Sequence, residues 1–170
     1  MCDADGASCR DQPLLRPGRR AITVVRIQMV REGKFPYGSN AISQSSDAAK
    51  LVQTYLAGAD REYFVLLLLD GKHRVNALNV VAIGSLTAAL VHAREVFKPA
   101  VLSNAAAVIL AHNHPSGDTE PSREDRELTE RLVKAGRLLG ITVLDHVIVG
   151  DERFFSFADH HLIPANGGCL

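Results

Sequence analysis

The sequence has 170 residues and 46% of them are hydrophobic, which is enough for one domain with a real core. Its 19 basic and 19 acidic side chains cancel, which excludes a global field that would draw the protein onto nucleic acid or an anionic membrane. Cys2, Cys9 and Cys169 lie near the two ends without C-x-x-C spacing and indicate neither a disulfide framework nor a thiolate metal site. The apolar runs are far shorter than the ~20 residues that span a bilayer, so we expect a cytoplasmic protein without membrane contact.

The first 58 residues combine a tail, a strand and a helix. Residues 1–20 mix glycine, proline and charge without periodicity, which is typical of a flexible tail. The next ten residues, AITVVRIQMV, are rich in β-branched side chains and predict an extra edge strand. SSDAAKLVQTYLAG predicts the first helix, with Ser45 and Ser46 as candidate N-caps and Gly58 near its end.

The middle of the chain predicts a β-hairpin, a short helix and a buried strand. Asp70 and Gly71 form the turn between a continuous apolar strand, YFVLLLL, and a longer second strand. The apolar run is expected to be buried on both faces. SLTAALVHAREVFKPAVLSNA predicts a helix with an irregular start, since Pro99 is compatible only with a first-turn or kinked position. The strand AAVILAH then leads directly into His112.

The last third of the chain predicts an amphipathic helix and two strands. The helix SREDRELTERLVKAGRLLG closes at Gly140. Its apolar stripe consists of Leu128, Leu132, Gly136 and Leu139. ITVLDHVIVG and RFFSF predict the strands, and a short tail follows at 166–170. Helices mixed with strands indicate an α/β or α+β domain, which we place at residues 21–165.

The stretch HNHPSGDTEPSRED contains the residues with the clearest chemistry. His112 and His114 are two apart at a strand end, so in extended geometry both imidazoles point to the same side. Two neutral imidazoles form half of a zinc site, and a loop folded back by its prolines and glycine would bring the Asp125 carboxylate opposite them. The fourth position would stay open to water, as in catalytic zinc sites.

The same stretch allows an interpretation without a metal. Ser122 to Asp125 is an S-x-x-D variant of the capping box, in which Ser122 caps the helix and Asp125 bonds back to the backbone. H-x-H alone does not decide between the two. Other H-x-H enzymes fit poorly: the metallo-β-lactamase pattern H-x-H-x-D-H would need Asp and His where Ser116 and Gly117 stand, and an amidohydrolase barrel needs about 250 residues.

The complete pattern H-x-H-x7-S-x2-D, formed by His112, His114, Ser122 and Asp125, resembles the JAMM (MPN+) metalloprotease signature. With LVHAREVFKPAVLSNAAAVILAHNHPSG and LLGITVLDHVIVG, the sequence is similar to the RadC-like JAB domains of bacteria over residues 44–163. The resemblance implies an MPN/JAB fold, similar to that of cytidine deaminases, in which helices flank a curved mixed β-sheet. It also implies Zn²⁺ held by the two histidines, the aspartate and a water.

The resemblance further implies a metallopeptidase or isopeptidase that acts on a peptide or protein. In this family a glutamate at the start of the strand after the first helix hydrogen-bonds the zinc-bound water. Glu62 occupies that position and is the expected general base, with Glu95 on the later helix as the alternative. Ser122 is the expected donor to the oxyanion, a role that needs its hydroxyl to be free from capping.

Two other functions stay open beside the peptidase. One is a weakly active or inactive metal-binding module associated with DNA repair or recombination, and the other is a zinc hydrolase acting on a different amide. The complete ligand set together with Glu62 favours turnover over the module. The residues before position 44 lack the helix-hairpin-helix pattern that usually precedes RadC-like domains, so the sequence resembles a short, stand-alone form. Contact with nucleic acid and a dimeric state are left open.

Three further residues are secondary candidates. His146 lies among apolar residues in a predicted strand and is expected to be a hydrogen-bonded core residue. Asp118 and Asp145 are candidate acceptors for the second N–H of a ligand imidazole, since metal-binding histidines usually have such a partner.

Overall fold

The computed structural model describes residues 22–38, 41–84 and 91–164. Within these ranges the chain forms three helices and five strands. They are α1 (Ser45–Tyr55), β1 (Tyr63–Leu69), β2 (Val75–Ile83), α2 (Ala93–Leu102), β3 (Ala107–Asn113), α3 (Arg123–Leu139), β4 (Thr142–Val149) and β5 (Phe154–Ser156). None of the helices in the described part of the chain is long and apolar enough to cross a lipid bilayer.

The strands form one mixed sheet in the order β2-β1-β3-β4-β5. The predicted hairpin is confirmed, because β1 pairs with β2 in antiparallel fashion, and β1 is also antiparallel to β3. β3 and β4 are parallel, and β5 is antiparallel to β4. Parallel neighbours need a crossover connection, and α3 supplies it between β3 and β4. A mixed sheet with flanking helices confirms the predicted fold class.

The two faces of the sheet carry separate cores. On one face, alternate residues of β1 pack with α2 and α3; this core includes Phe64, Leu66, Leu68, Val96, Phe97, Leu128 and Leu132. On the other face, the intervening residues of β1 pack with α1; this core includes Val65, Leu67, Leu69, Ala48, Leu51 and Val52. A strand that is buried on both sides needs apolar residues at every position, which explains the run YFVLLLL.

The predicted caps of α1 are wrong by one residue. Gln44 is the N-cap, and its backbone N–H donates to the Asp47 carboxylate at 3.1 Å. This carboxylate at the third helical position completes a capping box, so Ser45 and Ser46 become residues of the first turn.

Helix α2 tolerates a proline in its interior. Pro99 is neither a first-turn residue nor a helix end, because α2 continues to Leu102. Since proline has no N–H, the carbonyl of Glu95 loses its intrahelical hydrogen bond. The predicted irregular start falls partly on residues 85–90, outside the described ranges.

The strand predicted over residues 21–30 is wrong for the part that the structure describes. Residues 22–30 have no regular secondary structure, and their side chains are exposed. The first β-bridge of the described chain comes later, between Ala41 and Arg74. Strand propensity reflects packing on a neighbouring strand, and residues 22–30 have no such neighbour within the described ranges. The predicted tails at 1–20 and 166–170 lie outside these ranges.

Helix α3 follows its prediction closely. Ser122 is its N-cap, and Gly140 ends it with a left-handed φ of 69°. Leu128, Leu132 and Gly136 are buried as predicted, whereas Leu139 is 51% exposed. Gly136 lies where the helix approaches the start of β4.

We expect Gly136→Ala to destabilise the fold, because a Cβ there would lie 2.5 Å from the Ile141 carbonyl oxygen and 3.1 Å from the Phe97 ring. The Ile141 backbone cannot move away without disturbing the fold, so the free energy of unfolding in urea should fall by about 1–3 kcal/mol. This loss is larger than the gain from the higher helix propensity of alanine. Gly71→Ala is the control, since nothing lies within 4 Å of its Cβ. Equal stability of Gly136→Ala and the wild type would contradict this packing.

Candidate metal centre

The β3 strand and the start of α3 bring the motif residues to one end of the sheet. His112 lies near the end of β3, and Asp125 lies in the first turn of α3. The His114 N–H donates to the Val149 carbonyl at 3.0 Å, so the ladder with β4 continues one residue past β3. Gly117 then turns the loop with a φ of 79°, which glycine adopts without strain. Both imidazoles therefore lie on the same side, as the spacing predicts.

The three predicted ligands converge. His112 Nε2 is 3.0 Å from His114 Nε2 and 3.3 Å from Asp125 Oδ1. The ligand atoms of all three residues lie within 4.8 Å of one another. His112 and Asp125 are buried, whereas the side chain of His114 is 18% exposed. The group could hold a metal ion that solvent reaches from the His114 side.

A buried hydrogen-bond chain behind His112 decides which of its nitrogens is free. Thr129 Oγ1 lies 2.6 Å from the backbone carbonyl oxygen of Asp125 and 2.6 Å from His146 Nδ1. A carbonyl only accepts, so the Thr129 hydroxyl donates to it, and His146 Nδ1–H donates to the Thr129 oxygen. His146 Nε2 is therefore an acceptor, and the His112 Nδ1–H donates to it over 2.9 Å. The lone pair of His112 Nε2 is left facing the ligand group.

His114 is fixed in the same tautomer by a simpler contact. Its Nδ1 lies 2.6 Å from the backbone carbonyl oxygen of Asp118, so Nδ1 carries the proton and Nε2 carries a lone pair. Two Nε2 lone pairs thus face each other over 3.0 Å beside a carboxylate, which is repulsive unless a cation lies among them. Two ligands ~2.0–2.1 Å from a tetrahedral zinc are ~3.3 Å apart, so the donor set fits Zn²⁺.

Burial favours the neutral form of the His112 and His146 imidazoles. Burial lowers the pKa of His112 to about 4, although the nearby Asp125 carboxylate opposes the shift. Burial also lowers the pKa of His146 well below its ordinary value, and the positive charge that His112 and His114 would carry when protonated adds to this. Neutral imidazole is the form that binds metal, so zinc would not have to displace a proton from His112.

Asp125 uses its two carboxylate oxygens for different purposes. Oδ2 accepts from the Ser122 backbone N–H at 2.8 Å and from the Ser122 hydroxyl at 2.6 Å, which closes the capping box. Oδ1 is the oxygen that faces His112. The two interpretations of this residue, helix cap and metal ligand, are therefore compatible.

Glu62 lies at the same end of the sheet as the histidines. It immediately precedes β1 and is half-buried. The antiparallel register pairs Phe64 with His112, and continuing that register by two residues places Glu62 opposite His114. Glu62 thus belongs to the segment that flanks the open side of the ligand group.

Asn113 fixes the backbone on both sides of Glu62. Its side chain points away from the two histidines that flank it and is almost fully buried. The Asn113 Oδ1 accepts from the Tyr63 N–H at 2.7 Å, and its Nδ2 donates to the Arg61 carbonyl at 3.0 Å. The middle residue of HNH therefore ties the Glu62 segment to β3.

Comparison with known proteins gives the family. The RadC-like JAB domain matches residues 42–162. The chain belongs to the RadC-like JAB domain family.

The curated relatives are longer than this chain. A UPF0758 protein of Rubrobacter xylanophilus is 51% identical over 126 residues, 74% of this chain and 55% of the relative. A UPF0758 protein of Geobacter sulfurreducens is 58% identical over 103 residues, 61% of this chain and 45% of the relative. One of Methanosarcina mazei is 48% identical over 122 residues, 72% of this chain and 53% of the relative. The chain spans about half the length of these relatives, and their names state no activity.

Two of the predicted catalytic candidates have well-defined surroundings in this RadC-like domain. The Ser122 hydroxyl donates a hydrogen bond to Asp125, so in this arrangement it is not the free donor that an oxyanion role requires. The oxyanion role stays a prediction. The Glu95 carboxylate lies on the surface of α2, where the hydrogen bond from Lys98 lowers its pKa.

Sequence reasoning missed the residues behind the ligands. His146 is buried as predicted, but its partner in hydrogen bonding is the ligand His112. Asp145 is not the acceptor for a ligand imidazole, because its carboxylate accepts from the Ser156 hydroxyl at 2.6 Å and from the His146 and Ala158 backbone N–H groups. For Asp118, the acceptor is its backbone carbonyl and not its carboxylate. The i,i+4 spacing of Asp125 and Thr129 was the one available signal for Thr129.

We expect the purified RadC-like domain to bind about one Zn²⁺ per chain, because a set of three protein ligands with one open position binds one ion. The double variant His112→Ala/His114→Ala should lose the metal. The zinc content per chain is measured by inductively coupled plasma mass spectrometry after dialysis. His92→Ala, which removes an exposed histidine, is the control and should keep it. Full stoichiometry in the double variant would contradict the assignment.

Proposed function

We propose that this chain is a zinc-dependent metallopeptidase or isopeptidase that hydrolyses an amide bond, with Glu62 as the general base. The observation that carries the proposal is the pair of Nε2 lone pairs on His112 and His114, held face to face beside Asp125 Oδ1. Two N ligands and one O ligand with an open side are typical of catalytic zinc sites, whereas structural sites are closed by four protein ligands. Zn²⁺ bound there would lower the pKa of a water molecule toward ~7 and polarise the scissile carbonyl.

The protein groups behind the site support hydrolysis by keeping solvent away from one side. The Phe64 ring stacks on the His112 imidazole with 6.1 Å between ring centroids. The Phe157 ring stacks on His146 at 4.9 Å. Charges in such surroundings interact more strongly than in water, so a developing negative charge is stabilised more.

The register that brings Glu62 opposite His114 supports Glu62 as the base that moves a proton between water and leaving group. A general base has to reach the attacking water, and Glu62 lies on the segment opposite His114, where solvent reaches the ligands. In the proposed reaction its carboxylate accepts the proton of the water and passes it to the departing amine. Asn113 holds the backbone on both sides of Glu62.

We expect Glu62→Gln to keep the zinc and to lower amide hydrolysis by about 10²–10⁴-fold, the usual contribution of a general base. The measurement is a screen of the zinc-loaded protein against peptide, isopeptide and small amide substrates, with metal content determined in parallel. Glu95→Gln is the matched control, because it makes the same change at the alternative glutamate.

The outcomes separate the hypotheses. Loss of activity in Glu95→Gln with full activity in Glu62→Gln would refute the assigned base. Turnover of small amides alone would identify a different zinc hydrolase. Full metal content without turnover of any substrate would favour the alternative, a weakly active or inactive metal-binding module associated with DNA repair or recombination.

A further inference from the structure

The β2 strand is a long terminal strand of the described sheet. It is a terminal strand of the sheet and has nine residues, whereas the opposite terminal strand, β5, has three. Within the described ranges, the outer side of this hairpin strand is approached by one β-bridge, from Ala41 to Arg74 just before β2 begins. Proteins usually shorten or cover such edges, because their unpaired N–H and C=O groups pair with any extended chain.

The second feature is an extended apolar segment on the same chain. Residues 22–30, ITVVRIQMV, which we call the N-terminal arm, have strong β propensity and no secondary structure. Its large apolar side chains are exposed, including Ile22 at 92% and Val24 at 95%. The exposed apolar members are Ile22, Val24, Val25, Ile27, Met29 and Val30. A contiguous apolar surface of this kind marks an interaction site.

The arm does not match the β2 edge of its own chain. The antiparallel bridge between Ala41 and Arg74 sets the register, and extending it places residues 32–38 opposite residues 77–83. Those residues, EGKFPYG, contain two glycines and a proline and form no strand. The arm would therefore lie beyond the end of β2 in its own chain.

We propose that the N-terminal arm of one copy of this chain adds as a sixth strand to the β2 edge of a second copy, and the reverse, in a symmetric dimer. The arm has nine residues, the same number as β2. The ten residues between the arm and Ala41 span up to ~33–36 Å, which lets the arm reach a neighbouring molecule. Reciprocal exchange uses the same two surfaces on both copies, so the assembly closes at two chains.

The exchange would give a partner both to the apolar N-terminal arm and to the β2 edge. The arm would pair the backbone groups of the β2 edge, as in strand addition by peptides to sheet edges. Its alternate side chains would cover the two faces of β2, where residues such as Ile83 remain 59% exposed. A second copy is thus a partner with the matching length and polarity.

The test is the mass of the full chain in solution by light scattering after size exclusion, at micromolar and near-millimolar concentrations. We expect a dimer that Val25→Pro weakens roughly tenfold or more, because proline removes a ladder hydrogen bond in the middle of the arm. Lys34→Pro is the matched control: it places proline in the same exposed stretch but outside the arm, and should leave the dimer intact. Ile27→Lys should weaken the dimer without a change in backbone.

Amide hydrogen–deuterium exchange distinguishes a dimer in which the two copies exchange their arms from a dimer held by another surface. The amides of the arm and of β2 should be protected in the dimer and lose protection together on dilution. A monomer at all concentrations would overturn the proposal, whether its arm is protected or not. A dimer that survives both Val25→Pro and Ile27→Lys would overturn it as well, since another surface would then hold the copies together.

Discussion

The crossover from β3 through α3 to the parallel strand β4 is the constraint on which the site depends. A parallel pair requires the chain to leave β3 at one end of the sheet and start a helix there. The two motif histidines stand at that strand end, and the first turn of the helix has to pass beside them. Asp125 therefore meets His112 and His114 because of topology, and its cap contact with Ser122 fixes the carboxylate once it arrives.

The same crossover places a second layer of polar groups behind the ligands. Parallel pairing sets His146 of β4 in the core next to His112, and α3 presents Thr129 one turn after Asp125. Each buried polar side-chain atom among the described residues then has a partner. The hydrogen-bond chain leaves one orientation for the His112 ring and aims its lone pair at His114. An apolar core at this position would not select a tautomer, so the polar groups here serve the site more than the stability of the fold.

Particular residues show which features of the fold and the site can be predicted from the sequence. The helices and strands from Ser45 onward follow from hydrophobic periodicity and turn residues, although the N-cap of α1 does not. The three candidate metal ligands follow from H-x-H-x7-S-x2-D. The role of His146 depends on the parallel register between β3 and β4, and that of Asn113 on the antiparallel register between β1 and β3. Both registers are long-range properties, so neither role was visible in local spacing. The strand predicted at 21–30 failed for a related reason, since propensity does not supply the neighbouring edge that a strand requires.

The tautomers of the buried imidazoles provide the most direct test of this arrangement. Long-range ¹H–¹⁵N spectra of the zinc-loaded protein at neutral pH distinguish protonated, free and metal-bound ring nitrogens. We expect metal at Nε2 of His112 and of His114, with the proton of each ring on Nδ1, and a neutral His146 that is protonated on Nδ1 and bound to no metal. Zinc at Nδ1 of His112, or a proton on Nε2 of His146, would contradict it.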